Sequence, residues 1–157
     1  MEEKYTFLRD AIQLADDNIS KQGGGPFGAV VVKDGKIIAR SVNTVTTGND
    51  PTAHAEVNAI REACRQLNTF DLSGCEIYAS CEPCPMCLSA IYWARIEKIY
   101  YAGNRIDAQN AGFDDSFIYD ELDKPLEERK IPIISLLEEE GKKPLLRWKE
   151  TEAKIDY

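Results

Sequence analysis

The chain has 157 residues, of which 43 % are hydrophobic and 29 % charged. That length and balance suit one folded domain with a core that needs no disulfides, and they exclude extended disorder. A formal net charge of −8 opposes a phosphate-backbone partner, so a nucleic-acid substrate is disfavoured. Met1-Glu2-Glu3-Lys4 lacks the basic start and apolar run of a signal peptide. No apolar stretch approaches the ~20 residues that a membrane span requires. Five cysteines, three of them between Cys81 and Cys87, read as a metal site in a reducing compartment, so a cytoplasmic location is expected.

In chain order, Leu8, Ala11, Ile12, Ala15 and Ile19 recur at helical spacing between Tyr5 and Ile19. Gly23-Gly24-Gly25-Pro26 ends that helix in a tight loop. Phe27 to Val32 is an apolar run suited to a central strand, and Asp34-Gly35 is a type I′ hairpin signal leading into a partner strand, Lys36 to Val42. Asp50-Pro51 reads as N-cap and first residue of a helix carrying His54, Val57, Ile60, Arg61 and Cys64 and ending near Asn68. Cys75 to Ser80 reads as a buried strand, Pro83 to Arg95 as a helix, and Ile96 to Ala102 as another strand. Asn110 to Phe117 is expected as a loop, Ile131 to Leu137 as a last strand, and Lys143 to Ile155 as a terminal helix. The alternation predicts a three-layer α/β/α fold, a mixed sheet of about five strands with helices on both faces, in a single domain.

The chemistry concentrates in two short motifs. His54 is the chain's one histidine, Glu56 follows two residues later, and Pro83-Cys84-Pro85-Met86-Cys87 comes next. One imidazole and two thiolates can hold Zn²⁺ and leave a fourth position for water. Cys84 and Cys87, three residues apart at a helix start, can face one point, and the positive end of that helix favours thiolate. Glu56 stands close to the metal without ligating it, which suits a proton carrier. The competing reading is a structural zinc closed by Cys81, which would leave Glu56 without a task. Cys64 and Cys75 read as core thiols. H-x-E followed by P-C-x-x-C resembles the zinc deaminase signature. Water activated by zinc, with Glu56 moving protons, points to hydrolytic deamination of an sp² carbon bearing an amine within an amidine.

The chain resembles the cytidine deaminase-like superfamily and, within it, the bacterial guanine deaminases. The resemblance runs through Gly24 to Ala39, Asn49 to Cys64 and Tyr78 to Arg95, which are shared with nucleoside and tRNA adenosine deaminases. It continues through Ala111 to Arg129, where Gly112-Phe113-Asp114-Asp115-Ser116-Phe117 is similar to the guanine enzymes in particular. Gly103 to Gln109 and Glu138 to Glu152 depart from the pattern. The resemblance implies His54, Cys84 and Cys87 as ligands of one zinc ion per subunit, and Glu56 as proton shuttle. It implies Asn43 as a hydrogen-bond partner of the purine, Phe27 as an aromatic packed against the base, and Asp115 as reader of the guanine edge, with Asp114 as the alternative. It further implies a homodimer in which the carboxyl-terminal segment crosses to the partner and the terminal aromatic, Tyr157, covers the pocket. The expected reaction is guanine to xanthine and ammonia in purine salvage or catabolism. Guanosine, cytosine or tRNA adenosine are the alternative substrates, and a non-catalytic zinc module is the alternative class.

Overall fold

The computed structural model describes residues 2–157, so Met1 of the amino-terminal tetrad lies outside it. Contacts divide the chain into two compact units, Met1–Asp115 and Ser116–Tyr157.

In the first unit, α1 (Glu2–Ser20) buries Ala11, Ala15 and Asn18, with Phe7, Leu8 and Leu14 partly covered beside them. Ile12 and Ile19, expected on that stripe, are exposed. Each lies one residue step, about 100°, from the line of Leu8, Ala11, Ala15 and Asn18. The helix rests directly on strand β1 (Gly28–Lys33): a Cβ at Gly28 would stand 2.3 Å from the Ala11 carbonyl oxygen.

Strand β1 pairs antiparallel with β2 (Lys36–Val42). Asp34 (φ +50°) and Gly35 (φ +71°) take the left-handed conformations that a type I′ turn demands. On its other side β1 pairs antiparallel with β3 (Cys75–Cys81), Ala29 opposite Ala79, and β3 runs parallel to β4 (Lys98–Gly103). The order is β2-β1-β3-β4.

Alternation along β1 assigns its side chains to two layers. Val30 and Val32 join Tyr78 beneath α1. Ala29 and Val31 face the opposite layer with Cys75 and Ile77, against α3 (Ala55–Leu67) and Ile91 of α4 (Pro85–Trp93). Ala55, Ala59 and Ala63, all fully buried, give α3 a small-residue seam that lets it sit close to the sheet. The expected α/β/α sandwich is therefore present. A four-residue turn of helix, α2 (Val45–Gly48), precedes α3, and α5 (Arg105–Asn110) follows β4.

Three expectations are corrected. Helix α3 begins at Ala55 and not at Pro51, because Asp50 Oδ1 accepts from both the backbone N–H and the hydroxyl of Thr52, closing a local turn. Among the described residues the sheet has four strands, not about five: Ile131 to Leu137 forms no strand, and its apolar side chains are 51 % to 80 % exposed. Pro132 in that run has no N–H to give a ladder. The terminal helix, α7 (Glu138–Glu150), starts five residues before Lys143 and ends before Ile155. Glu138, Glu139 and Glu140 occupy its first turn, where the helix dipole favours carboxylates.

The second unit comprises α6 (Ser116–Asp123), a 3₁₀ turn at Leu126–Glu128 and α7. Arg129 closes its first half by donating to the carbonyls of Leu122 and Lys124. None of its helices buries a residue. No helix among the described residues is long and apolar enough to cross a membrane.

Candidate active site

Two helix openings bring the metal-ligating residues together. His54 is the N-cap of α3 and Cys84 the N-cap of α4, both in extended conformation (φ −68°, ψ 156° and φ −66°, ψ 168°). Pro85 supplies the fixed φ of the first helical residue, where the missing N–H costs nothing. The C-x-x-C spacing then puts Cys84 and Cys87 at N-cap and third helical position, which overhang the same helix mouth. His54 Nδ1 lies 3.5 Å from Cys84 Sγ and 3.5 Å from Cys87 Sγ. The three ligand atoms all lie within 4.8 Å of one another, with Cys87 buried and the other two half-buried.

Glu56 is one of the few buried polar residues, 7 % exposed. Its Oε2 accepts from the Cys87 thiol at 3.4 Å, yet it lies outside the three-residue metal-binding group. Burial raises its carboxyl above the ordinary range. Cys81 also stays outside the group: its thiol donates to the Asn104 carbonyl at 3.6 Å, and burial pushes it up to about 11. A Cys₃His site closed by Cys81 is therefore not assembled. Without a metal, Cys84 is drawn down to about 4 by the hydrogen bond from Cys87 and then that with His54. The same bond with Cys84, reinforced by burial, holds Cys87 as the thiol, and the bond with Cys84 raises His54.

One imidazole nitrogen and two sulfurs at this separation are the donor set that tetrahedral zinc accepts, with a fourth position open. A carboxylate held beside such a set but not within it belongs to metalloenzymes that activate water. The chain belongs to the cytidine and deoxycytidylate deaminase zinc-binding family, whose model matches residues 1–103. It is 55 % identical to the guanine deaminase of Bacillus subtilis (strain 168) over 152 residues, 97 % of each chain. The X-ray structure of that relative superposes with a TM-score of 0.95, covering 98 % of both chains. A tRNA-specific adenosine deaminase of Aquifex aeolicus is 43 % identical over 122 residues, 78 % of each chain. The structure of a guanine deaminase from Nitrosomonas europaea, 34 % identical, gives a TM-score of 0.66 over 69 % of this chain and 63 % of its own.

The other expected site residues divide by position. Asn43, buried, follows β2; its Oδ1 accepts from the backbone N–H of Gly25 and Val45. Phe27 precedes β1 and meets Phe113 edge-on, ring centroids 4.9 Å apart. Asp115 is half-buried whereas Asp114 is exposed. Burial, and next the negative charge of Cys84, raise the Asp115 carboxyl. Tyr157 belongs to the second unit and is exposed.

Sequence reading missed two asparagines that brace Asn43. Asn18 donates through Nδ2 to the carbonyls of Gly25 (2.8 Å) and Asn43 (2.9 Å). Asn58 donates to the carbonyl of Val42 (2.9 Å) and the hydroxyl of Thr44 (3.0 Å). The available signal was an asparagine standing on the apolar line of α1, three residues beyond Ala15.

Proposed function

We propose that this chain hydrolyses guanine to xanthine and ammonia, in purine salvage or catabolism. The observation that carries this is a 55 % identity sustained over 152 residues with a guanine deaminase, well beyond the 103 residues of the zinc-binding region. A half-buried carboxylate, Asp115, whose ionisation is opposed by burial and by the charge of Cys84, supports it chemically.

Zinc held by His54, Cys84 and Cys87 supplies Lewis-acid activation of water. The rest is the work of the chain's own groups. Asp115 accepts hydrogen bonds from N1–H and the exocyclic amine, the donor edge that distinguishes guanine from adenine and cytosine. Asn43 has its Oδ1 occupied by Gly25 and Val45, so its Nδ2 is the end that serves the base, donating to the O6/N7 acceptor edge. Phe27, backed by Phe113, packs against the ring face. Glu56 carries one proton of the attacking water to ring N3 and the second, from the resulting hydroxyl, to the departing amine. At C2 a C–O bond forms and the C–N bond breaks, and ammonia leaves.

The two units act as one deaminase domain spanning residues 1–157, with the second unit exchanged in a homodimer and Tyr157 closing the partner's pocket. Apolar side chains support this: Ile131, Ile134, Leu136, Leu145 and Ile155 are all exposed in the single chain, a density that marks an interaction surface. Five free thiols suit a cytoplasmic setting.

The test is ammonia release by the zinc-loaded protein offered guanine, guanosine, adenine, cytosine and tRNA, alongside Glu56→Ala. Guanine turnover lost in the variant is the expected result. Preferred turnover of guanosine, cytosine or tRNA would overturn the substrate assignment.

A further inference from the structure

Asn43 sits in an unusually constrained piece of backbone, and the constraints come from two different helices. From α1, Asn18, only 4 % exposed, spends both protons of its amide nitrogen on the carbonyls of Gly25 and Asn43. The loop is shaped around this amide. A Cβ at Gly23 would lie 2.1 Å from Asn18 Oδ1, and one at Gly24 2.3 Å from the Asn43 carbonyl oxygen. Gly24 also holds φ +150°, which other residues rarely adopt. From α3, Asn58 binds the residues on either side of Asn43, at the Val42 carbonyl and the Thr44 hydroxyl, and reaches the Ala53 carbonyl at 3.3 Å.

These bonds tie the purine-facing loop to the metal site. Ala53 directly precedes His54, and its carbonyl also accepts from Thr44 N–H at 3.0 Å. The N–H of Asn58 itself donates to the His54 carbonyl at 2.9 Å. Asn43 N–H donates to Phe27, the residue placed against the ring face. Every backbone polar group of Asn43 is thus spoken for, and its side-chain oxygen is held by Gly25 and Val45. The side-chain nitrogen is the end that remains, aimed by the frame around it.

We propose that Asn18 and Asn58 are positioning residues that set the direction of the Asn43 amide relative to His54, Cys84 and Cys87. This rests on Asn43 being a base-contacting residue. Neither asparagine belongs to the metal-binding group, and both spend their amide protons on protein groups. They act by holding one hydrogen-bond donor at a fixed distance from the reacting carbon, where small displacements carry large rate penalties.

The experiment is a double-mutant cycle on the zinc-loaded enzyme with guanine: Asn18→Ala, Asn43→Ala and both together, with zinc content and thermal midpoint measured for each. Asn18→Ala is expected to lower kcat/KM about 10- to 100-fold with zinc content unchanged. In the Asn43→Ala background the same substitution should change kcat/KM by less than about twofold, because its effect passes through Asn43. Losses that multiply in the double variant, or an Asn18→Ala enzyme with unaltered kinetics, would overturn the proposal. An Asn43→Ala enzyme with unaltered kinetics would instead remove the base-contact reading beneath it, and the proposal with it. Should Asn18→Ala fail to fold, Asn18→Ser and Asn58→Ala pass through the same cycle with the same criteria.

Discussion

The Cys87 thiol donates to the Glu56 carboxylate at 3.4 Å, so a residue of the metal-binding group and a buried acid meet directly inside the protein. Glu56 thus stands next to the trio without being a member of it. Glu56→Gln keeps the shape and removes the proton-accepting oxygen. Turnover should fall about 10²- to 10⁴-fold while zinc content stays near one per subunit. Metal analysis beside a single-turnover assay checks both halves.

Asp115 and Asp114 are adjacent but differ in burial, and burial, then the charge of Cys84, raises the Asp115 carboxyl. Asp115→Ala should cut kcat/KM for guanine by at least about 100-fold, since it strips a charge-assisted pair of hydrogen bonds. Asp114→Ala should stay within about threefold of the parent. Steady-state kinetics of the two variants side by side would reverse the assignment if the order were inverted.

Metal removal has two expected readouts. Chelation should lower the thermal midpoint by roughly 5–10 °C, from ~2.7 kcal/mol of binding linkage at a hundredfold excess of free metal over Kd. It should also expose a thiolate. Cys84, held at about 4, is ionised above that pH, whereas Cys81, held at about 11, stays protonated until strongly alkaline conditions. Iodoacetamide at about pH 6 should therefore label Cys84 ahead of Cys81 in the stripped protein, and zinc should suppress that labelling. Peptide mass mapping reads the order.

Exchange of the second unit can be tested by mixing defects. Glu56→Gln and Tyr157→Ala enzymes should each be impaired as homodimers. Co-expressed at equal levels, they should regain about a quarter of the parental sites, because a Glu56-bearing site receives Tyr157 from the other chain. A tail acting on its own chain would restore nothing.

Gly28 and Gly35 separate packing from backbone strain. At Gly28 an added Cβ meets the backbone of α1, 2.3 Å from the Ala11 carbonyl oxygen and 2.9 Å from Ala15 N. Gly28→Ala should destabilise by about 1–3 kcal/mol through displacement of the helix. At Gly35 nothing stands within 4 Å, but φ is +71°, and Gly35→Ala should cost about 1–2 kcal/mol from the left-handed backbone alone. Urea denaturation midpoints give both values.

The metal-binding trio was legible because its chemistry imposes spacing: an N-cap cysteine and one three residues later must overhang one helix mouth. The β1–β2 hairpin was legible for a similar reason, since Asp34-Gly35 suits few conformations besides a tight turn. The start of α3 was not, because Asp50 and Pro51 carry the chemistry of a helix start and use it instead for the turn that presents His54. Ile131 to Leu137 misled in another way. A strand requires a neighbour with free backbone groups, and an apolar run carries no information about whether one is within reach. Asn18 was invisible as a site residue because its partners, the carbonyls of Gly25 and Asn43, are groups every residue possesses.

His54 is the chain's sole imidazole, and its Nδ1 faces both thiols. A proton NMR spectrum of the tag-free enzyme will therefore show a single pair of histidine ring resonances. Once Nδ1 is taken up, the ring proton is confined to Nε2, and those lines stop moving with pH. The protein thus carries its own spectroscopic gauge of metal loading, readable in the intact enzyme without label, chromophore or substrate.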